Sequence, residues 1–369
     1  MTVGFFSASV TEADWKFERA CRAQGVEPTF FTHPLSGPQG EILKLGVCRL
    51  GPADAANRLF VISATHGIEG YAAAGIQTGW IDQVGADVLP EDTAIVMVHM
   101  LNPWGMAWNR RENEDNVDIF RNLLYCDHPS DPDPLYDVAD DLLDLAHWDT
   151  RDWDTWQQRA EELVALHGRD RLLSAIRRGQ HHRPKSMTFH GNGPSWSKKR
   201  MDEIVPEYLG GARCIAVIDI HTGFGEYGQG IVMSYDPPGS ARHSRVKEWF
   251  SGDVYTPGTD ADIPDHSIRL PFEWIESQLS GVSVTAEILE FGTLDPTDIG
   301  EIFNANHHFH VYGDPLSAEG QEWGKRYRRY CYPEEDEWKS LVWQRGREVI
   351  ERTLEGLGHW ARQSLKSES

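Results

Sequence analysis

The chain has 369 residues, 40% of them hydrophobic, with 14 Trp, 14 Phe and 11 Tyr, which is enough for a packed core and excludes a disordered chain. A net charge of −22 repels phosphate backbones and anionic lipid, so neither nucleic acid nor a membrane is expected as a partner. Five scattered cysteines (Cys21, Cys48, Cys126, Cys214, Cys331) form no C-x-x-C pair, no basic-then-apolar leader is read, and no apolar run approaches the ~18 residues of a spanning helix, so a reduced cytoplasmic protein is expected.

Helical character spans residues 11–24, and strand-like runs follow at 29–33, 41–50 and 59–64. The last run leads directly into Ala64-Thr65-His66-Gly67-Ile68-Glu69-Gly70. His66 and Glu69 stand three residues apart, so on a helical turn an imidazole and a carboxylate share one face and can converge on one cation. An Ala-rich helix is expected over 71–80, then a buried strand at 94–99 ending in the turn Asn102-Pro103-Trp104-Gly105. The stretch that follows has neither helical nor strand periodicity and gathers Asn109, Arg110, Arg111, Asn113, Asn116, Asp118, Arg121 and Asn122. Three arginines behind a buried strand of an acidic protein point to recognition of a carboxylate; an ordinary salt-bridged loop is the alternative.

Between 123 and 205 the composition shifts to Asp/Pro-rich, then polar-helical, then Gly/Pro/Ser-punctuated sequence. An insertion or lid subdomain within a single catalytic domain of residues 1–369 is expected there. Beyond it, an apolar strand at 215–220 ends in His221, and another at 282–289 ends in Glu290. A carboxylate at a sheet's mouth can be raised by burial toward the range of a general base. Glu287 is its rival, but period-two alternation turns the two to opposite faces. The Gly-rich run 223–228 lacks a Gly-Lys-Ser/Thr ending and reads as a flexible loop. His181-His182 and His307-His308 read as solvent-facing pairs, and residues from about 299 onward read as helical.

Alternating strand and helix character argues for an α/β fold. Open α/β sheets place ligands beyond the carboxyl ends of their strands, where both His66 and His221 stand. With Glu69 they make a His₂Glu set with an open fourth position, the pattern of catalytic rather than structural zinc.

In chain order, His66-x-x-Glu69, Asn102-Pro103-Trp104-Gly105, Arg111, Asp118-x-Phe120-Arg121-Asn122, His221 and Glu290 resemble the zinc carboxypeptidases, the carboxypeptidase A-like or funnelin metallopeptidases, in a divergent bacterial-type branch. The resemblance covers residues 59–293. It implies a mixed, mostly parallel twisted sheet flanked by helices on both faces. It also implies Zn²⁺ held by His66, Glu69 and His221, with Asp118 behind His66. Glu290 would be the general base, Arg111 the oxyanion partner with Arg110 as fallback, and Arg121 the grip on a substrate carboxylate. One departure stands out: the family's Asn before the second arginine is Phe120 here. The family's capping tyrosine has only Tyr235 and Tyr255 as nearby candidates. Hydrolysis of an amide bond in a small peptide is the leading expectation. Deacylation of small N-acyl amino acids, as in the desuccinylase and aspartoacylase branch, and a non-catalytic binding protein with a retained metal pocket stay open beside it.

Overall fold

A computed structural model describes residues 3–124, 132–257, 272–294 and 299–367, so Cys126 and part of the Asp/Pro-rich stretch lie outside the described residues. Seven strands form one sheet among them: β1 Thr29–Ser36, β2 Ile42–Leu50, β3 Asn57–Ile62, β4 Thr93–His99, β5 Cys214–Tyr227, β6 Gly230–Met233 and β7 Ser283–Gly292. Their order is β1-β2-β4-β3-β5-β7-β6. The four central strands β4, β3, β5 and β7 run parallel, while β2 pairs antiparallel with β4 and β1, and β6 antiparallel with β7. Only β2 and β6 therefore oppose the common direction, which makes the sheet mixed and mostly parallel.

The central strands are continuous apolar runs because both of their faces are covered. On one face Leu59, Val61, Ile218 and Leu289 pack with Phe17, Trp80, Val349 and Leu357 of the helices Val10–Ala23, Gly70–Gln83 and Asp336–Ser367. On the other, Phe60, Ile62, Val217 and Ile288 pack with Met201, Ile204 and Val205 of the helix Trp196–Leu209. The described cysteines, Cys21, Cys48, Cys214 and Cys331, are all buried. Among the described residues no helix is long and apolar enough to cross a membrane.

Two expectations need correction. The Gly-rich run is no loop: β5 continues through it to Tyr227, with an irregular register between Thr222 and Tyr227 that bulges the strand opposite β7. The pair His307-His308 is not solvent-facing, because the helix Ile299–Val311 that carries it is covered by the excursion that follows residue 123. Three helices of that excursion, Tyr136–Leu143, Trp153–His167 and Arg169–Arg178, pack on one another. His308 Nδ1 lies 2.9 Å from the Leu145 carbonyl and His307 Nε2 2.8 Å from the Lys185 carbonyl. His182 does stay exposed, against Asp137. Strand β6 went unforeseen, being four residues long and opening on a glycine.

Candidate metal centre

The chain leaves β3 through Ala64, a buried residue in the left-handed region at φ 58°. Such a conformation in a non-glycine residue costs on the order of 1–3 kcal/mol and persists only where its surroundings enforce it. Here the Asn102 amide donates to the Ala64 carbonyl at 3.0 Å, and the Gly67 and Ile68 amides donate to the Arg111 and Arg110 carbonyls at 3.0 and 2.9 Å. Asn102 also caps its own turn, its side-chain oxygen accepting from the Gly105 amide at 2.9 Å. Gly67 and Gly105 touch backbone to backbone: a Cβ on Gly67 would lie 2.3 Å from the Gly105 carbonyl carbon. The Asn-Pro-Trp-Gly turn is thus the mould for the loop that carries His66 and Glu69. The pair meets across a 3₁₀ turn, Gly67–Glu69, with His66 still extended before it.

His221, near the middle of β5, completes the group. The ligand atoms of His66, Glu69 and His221 lie within 4.8 Å of one another, and all three residues are buried. Glu69 Oε1 is 3.0 Å from His66 Nδ1, Glu69 Oε2 is 2.9 Å from His221 Nδ1, and the two Nδ1 atoms are 3.1 Å apart. Each imidazole turns its other nitrogen to a buried carboxylate. His221 Nε2 lies 3.0 Å from Asp219 Oδ2, and His66 Nε2 lies 3.5 Å from Asp118 Oδ1. Asp219 is fixed in turn by the Thr65 hydroxyl at 2.8 Å.

Three buried carboxylates around two imidazoles call for positive charge. Burial opposes ionisation of Asp118, but Arg111 and Arg121 overcome it and hold the group well below the usual carboxylate range. Burial likewise opposes a charge on His221, yet Asp219 and Glu69 raise it well above its ordinary value. Burial alone would raise Glu69, and the two histidines reverse that. Both Nδ1 atoms and the Glu69 carboxylate converge in that field, as the ligands of a divalent ion would. The donor set of two imidazoles and one carboxylate fits zinc.

Glu290 pairs in register with His221 across β5 and β7. Burial pushes its carboxyl up to about 8, helped by Glu69 and opposed by His221, the Phe224 amide and Arg111. Phe224 lies in the irregular stretch of β5 between Thr222 and Tyr227. Glu287 does face the other way, buried against Thr353. Arg111 donates to Asp118 Oδ2 at 2.7 Å and sits against His66 Nε2. Because a guanidinium only donates, His66 Nε2 accepts from Arg111 here, and Asp118 Oδ1 at 3.5 Å is the carboxylate to which a proton on Nε2 would turn if an ion took Nδ1.

The remaining arginines are already engaged. Arg121 donates to Asp118 and to the Arg177 carbonyl. Arg110 points away from the cluster, into a buried network with Glu112 at 3.0 Å, His307 at 3.2 Å and Asn116. Phe120 is buried beside His66 and His221, its ring 6.0 Å from that of His66 and 5.7 Å from that of His221. Tyr235 feels the charges of Glu290 and Arg121, and burial pushes its phenol up to about 12, whereas Tyr255 packs on Phe224 at 5.9 Å. Sequence reading missed Asp219. Its signal was period two: Asp219 and His221 share one face of β5. It also missed the bracing from the helix Ala318–Cys331, where the Cys331 carbonyl accepts from Thr222 at 2.8 Å and Tyr330 donates to the Gly223 carbonyl at 2.8 Å.

Among solved structures, the chain is similar to carboxypeptidase A from Helicoverpa armigera, at 13% identity and TM-score 0.47 over 90% of this chain and 76% of that one. It is also similar to thrombin activatable fibrinolysis inhibitor (12% identity, TM-score 0.46, 95% and 77%). A third likeness is to a metallo-carboxypeptidase from Burkholderia cenocepacia (12% identity, TM-score 0.41, 96% and 71%). Likenesses this distant say nothing of chemistry, which the residues of the site must carry. No curated protein matches the sequence. A family model described as "Protein of unknown function (DUF2817)" matches residues 6–345, and the chain belongs to that family.

Proposed function

We propose that this protein is a metal-dependent hydrolase of peptide amide bonds, with zinc as its ion. The observation that carries the reading is the convergence of both Nδ1 atoms and the Glu69 carboxylate, with Glu290 on the neighbouring strand. His66, Glu69 and His221 would hold the ion, which when bound supplies Lewis acidity and a water acidified to a pKa of about 7. Glu290 takes the proton of the attacking water and returns it to the leaving nitrogen. Arg111, fixed by Asp118, offers positive charge to the oxyanion. Asp118 and Asp219 keep the two imidazoles oriented.

A second reading, deacylation of small N-acyl amino acids, is favoured by Phe120. An apolar ring beside both histidines offers a wall to an acyl group, and Arg121 is held by Asp118 and the Arg177 carbonyl rather than left for a terminal carboxylate. The test is a zinc-loaded enzyme against a panel of dipeptides and N-acyl amino acids, with metal content measured in parallel. One equivalent of zinc, lost in both His66→Ala and His221→Ala, together with turnover on either half of the panel, is expected. Metal-loaded, folded protein that cleaves neither class ends the hydrolase reading.

A further inference from the structure

Away from the metal centre, the helices Tyr136–Leu143, Trp153–His167, Arg169–Arg178 and Ile299–Val311 border a cavity of about 620 Å³ that shares no lining residue with the cluster. That volume is in the range of small-molecule sites, about 300–1,000 Å³. None of the 15 residues of the helix Trp153–His167 is buried, although it lines the cavity with Trp153, Trp156, Ala160 and Val164, one stripe at helical spacing. Leu142, Leu172 and Ile176 line it from the neighbouring helices. Trp153 is 50% exposed, Val164 38% and Leu173 40%, so this apolar wall is left open to solvent.

Apolar surface left bare in a concave site marks a ligand groove. Water fills such a space poorly, because each molecule needs about two to four polar partners. The polar groups at this wall are engaged or lie outside it. Trp156 Nε1 donates to the Leu142 carbonyl at 2.6 Å. Arg151 lies over the indole rings of Trp153 and Trp156, at 4.9 and 5.4 Å, with the Asp144 charge near it, and its Nε and Nη1 have no accessible surface. Arg169 and Glu301 stand exposed in solvent, and Asn304 carries no charge. A charged ligand would lose its hydration inside and find no free counterion there. A peptide would bring backbone amides to walls that offer them no run of partners. We infer that this cavity binds a neutral small molecule that is mostly hydrocarbon, seated among Trp153, Trp156, Val164, Leu172 and Ile176. The site is separate from the metal chemistry and does not depend on it.

The test is titration of the full-length protein with anilinonaphthalene, a neutral probe that fluoresces in apolar surroundings, and with its anion, anilinonaphthalenesulfonate. Saturable binding of the neutral probe at one site is expected, with the anion weaker by roughly tenfold or more because its sulfonate must be desolvated. Ala160 shares a helix face with Trp156 and Val164, so Ala160→Trp fills the cavity and should weaken the neutral probe by roughly tenfold or more. Val164, already 38% exposed, supplies a second variant: Val164→Asp places a charge in the apolar wall and should weaken the probe as much, with the circular dichroism spectrum retained. If Ala160→Trp does not fold, Val164→Asp decides alone. Affinity for the neutral probe that is retained in a folded variant overturns the inference, as does anion binding equal to or tighter than neutral, or no saturable binding. A dimer in light scattering that Val164→Asp dissociates makes a second copy the occupant and overturns it too.

Discussion

Asp219 and His221 lie two residues apart on one strand, and the carboxylate Oδ2 of the first stands 3.0 Å from Nε2 of the second. In a β-strand that spacing puts both side chains on one face, so the sheet itself sets the ring's orientation. Asp118 reaches His66 differently, from the arm behind β4. The arm is held because its Asn116 and Asn122 side chains donate to the carbonyls of Pro184, Ser186, His190 and Gly193.

If Asp219 orients a metal ligand, Asp219→Asn should weaken zinc affinity by roughly 10–100-fold. Competition against a chelator of known affinity checks this, and the fold should be retained because an amide oxygen can still accept from Thr65. Unchanged affinity would leave Asp219 a purely structural group.

Glu290→Gln should keep one equivalent of zinc and lose activity by roughly 10²–10⁴-fold, the usual contribution of a positioned general base. The pH profile of the wild type adds a sign. The carboxyl is pushed up to about 8 without an ion, and a bound cation favours the carboxylate, so the acidic limb of kcat/KM should fall below pH 8 and activity should rise with pH through it. A limb above 8, or one that persists in the Gln variant, contradicts this role.

Glu287 makes a prediction about stability alone. It is fully buried, its Oε1 accepts from Thr353, and its Oε2 has no partner. Burial pushes its pKa up to about 8, against 4.5 for the ordinary group. The folded state therefore binds more protons than the unfolded state between those values, and stability falls as pH rises through that window. Glu287→Gln removes the dependence. Urea melts at pH 6 and pH 8 should show the variant gaining on the wild type, by at most about 1.4 kcal/mol per pH unit.

Gly67→Ala should damage the metal centre without touching a ligand. The added methyl would meet the backbone of Gly105 and Met106 at 2.3 and 2.4 Å, neither of which can swing aside as a side chain would. Overpacking of this kind costs about 1–3 kcal/mol. A lower melting temperature together with weaker zinc retention is expected.

By itself the sequence determined the apolar strands, the end of β3 beyond which His66 sits, and the opposite facing of Glu287 and Glu290, whereas His221, expected at a strand's end, lies within β5 because that strand runs on to Tyr227. The first three features are local: they follow from β-branched runs and period two. Only the tertiary structure decided that Arg110 turns into a network with Glu112 and His307, that Arg121 is spent on Asp118 and Arg177, and that the polar-looking histidines of the helix Ile299–Val311 are covered. Which acceptor an arginine finds, and what lies over a helix face, depends on segments brought together from far along the chain. Arg110 and His307 are 197 residues apart. No local pattern records such a meeting, because the free energy that selects it comes from burial and charge pairing in the folded chain.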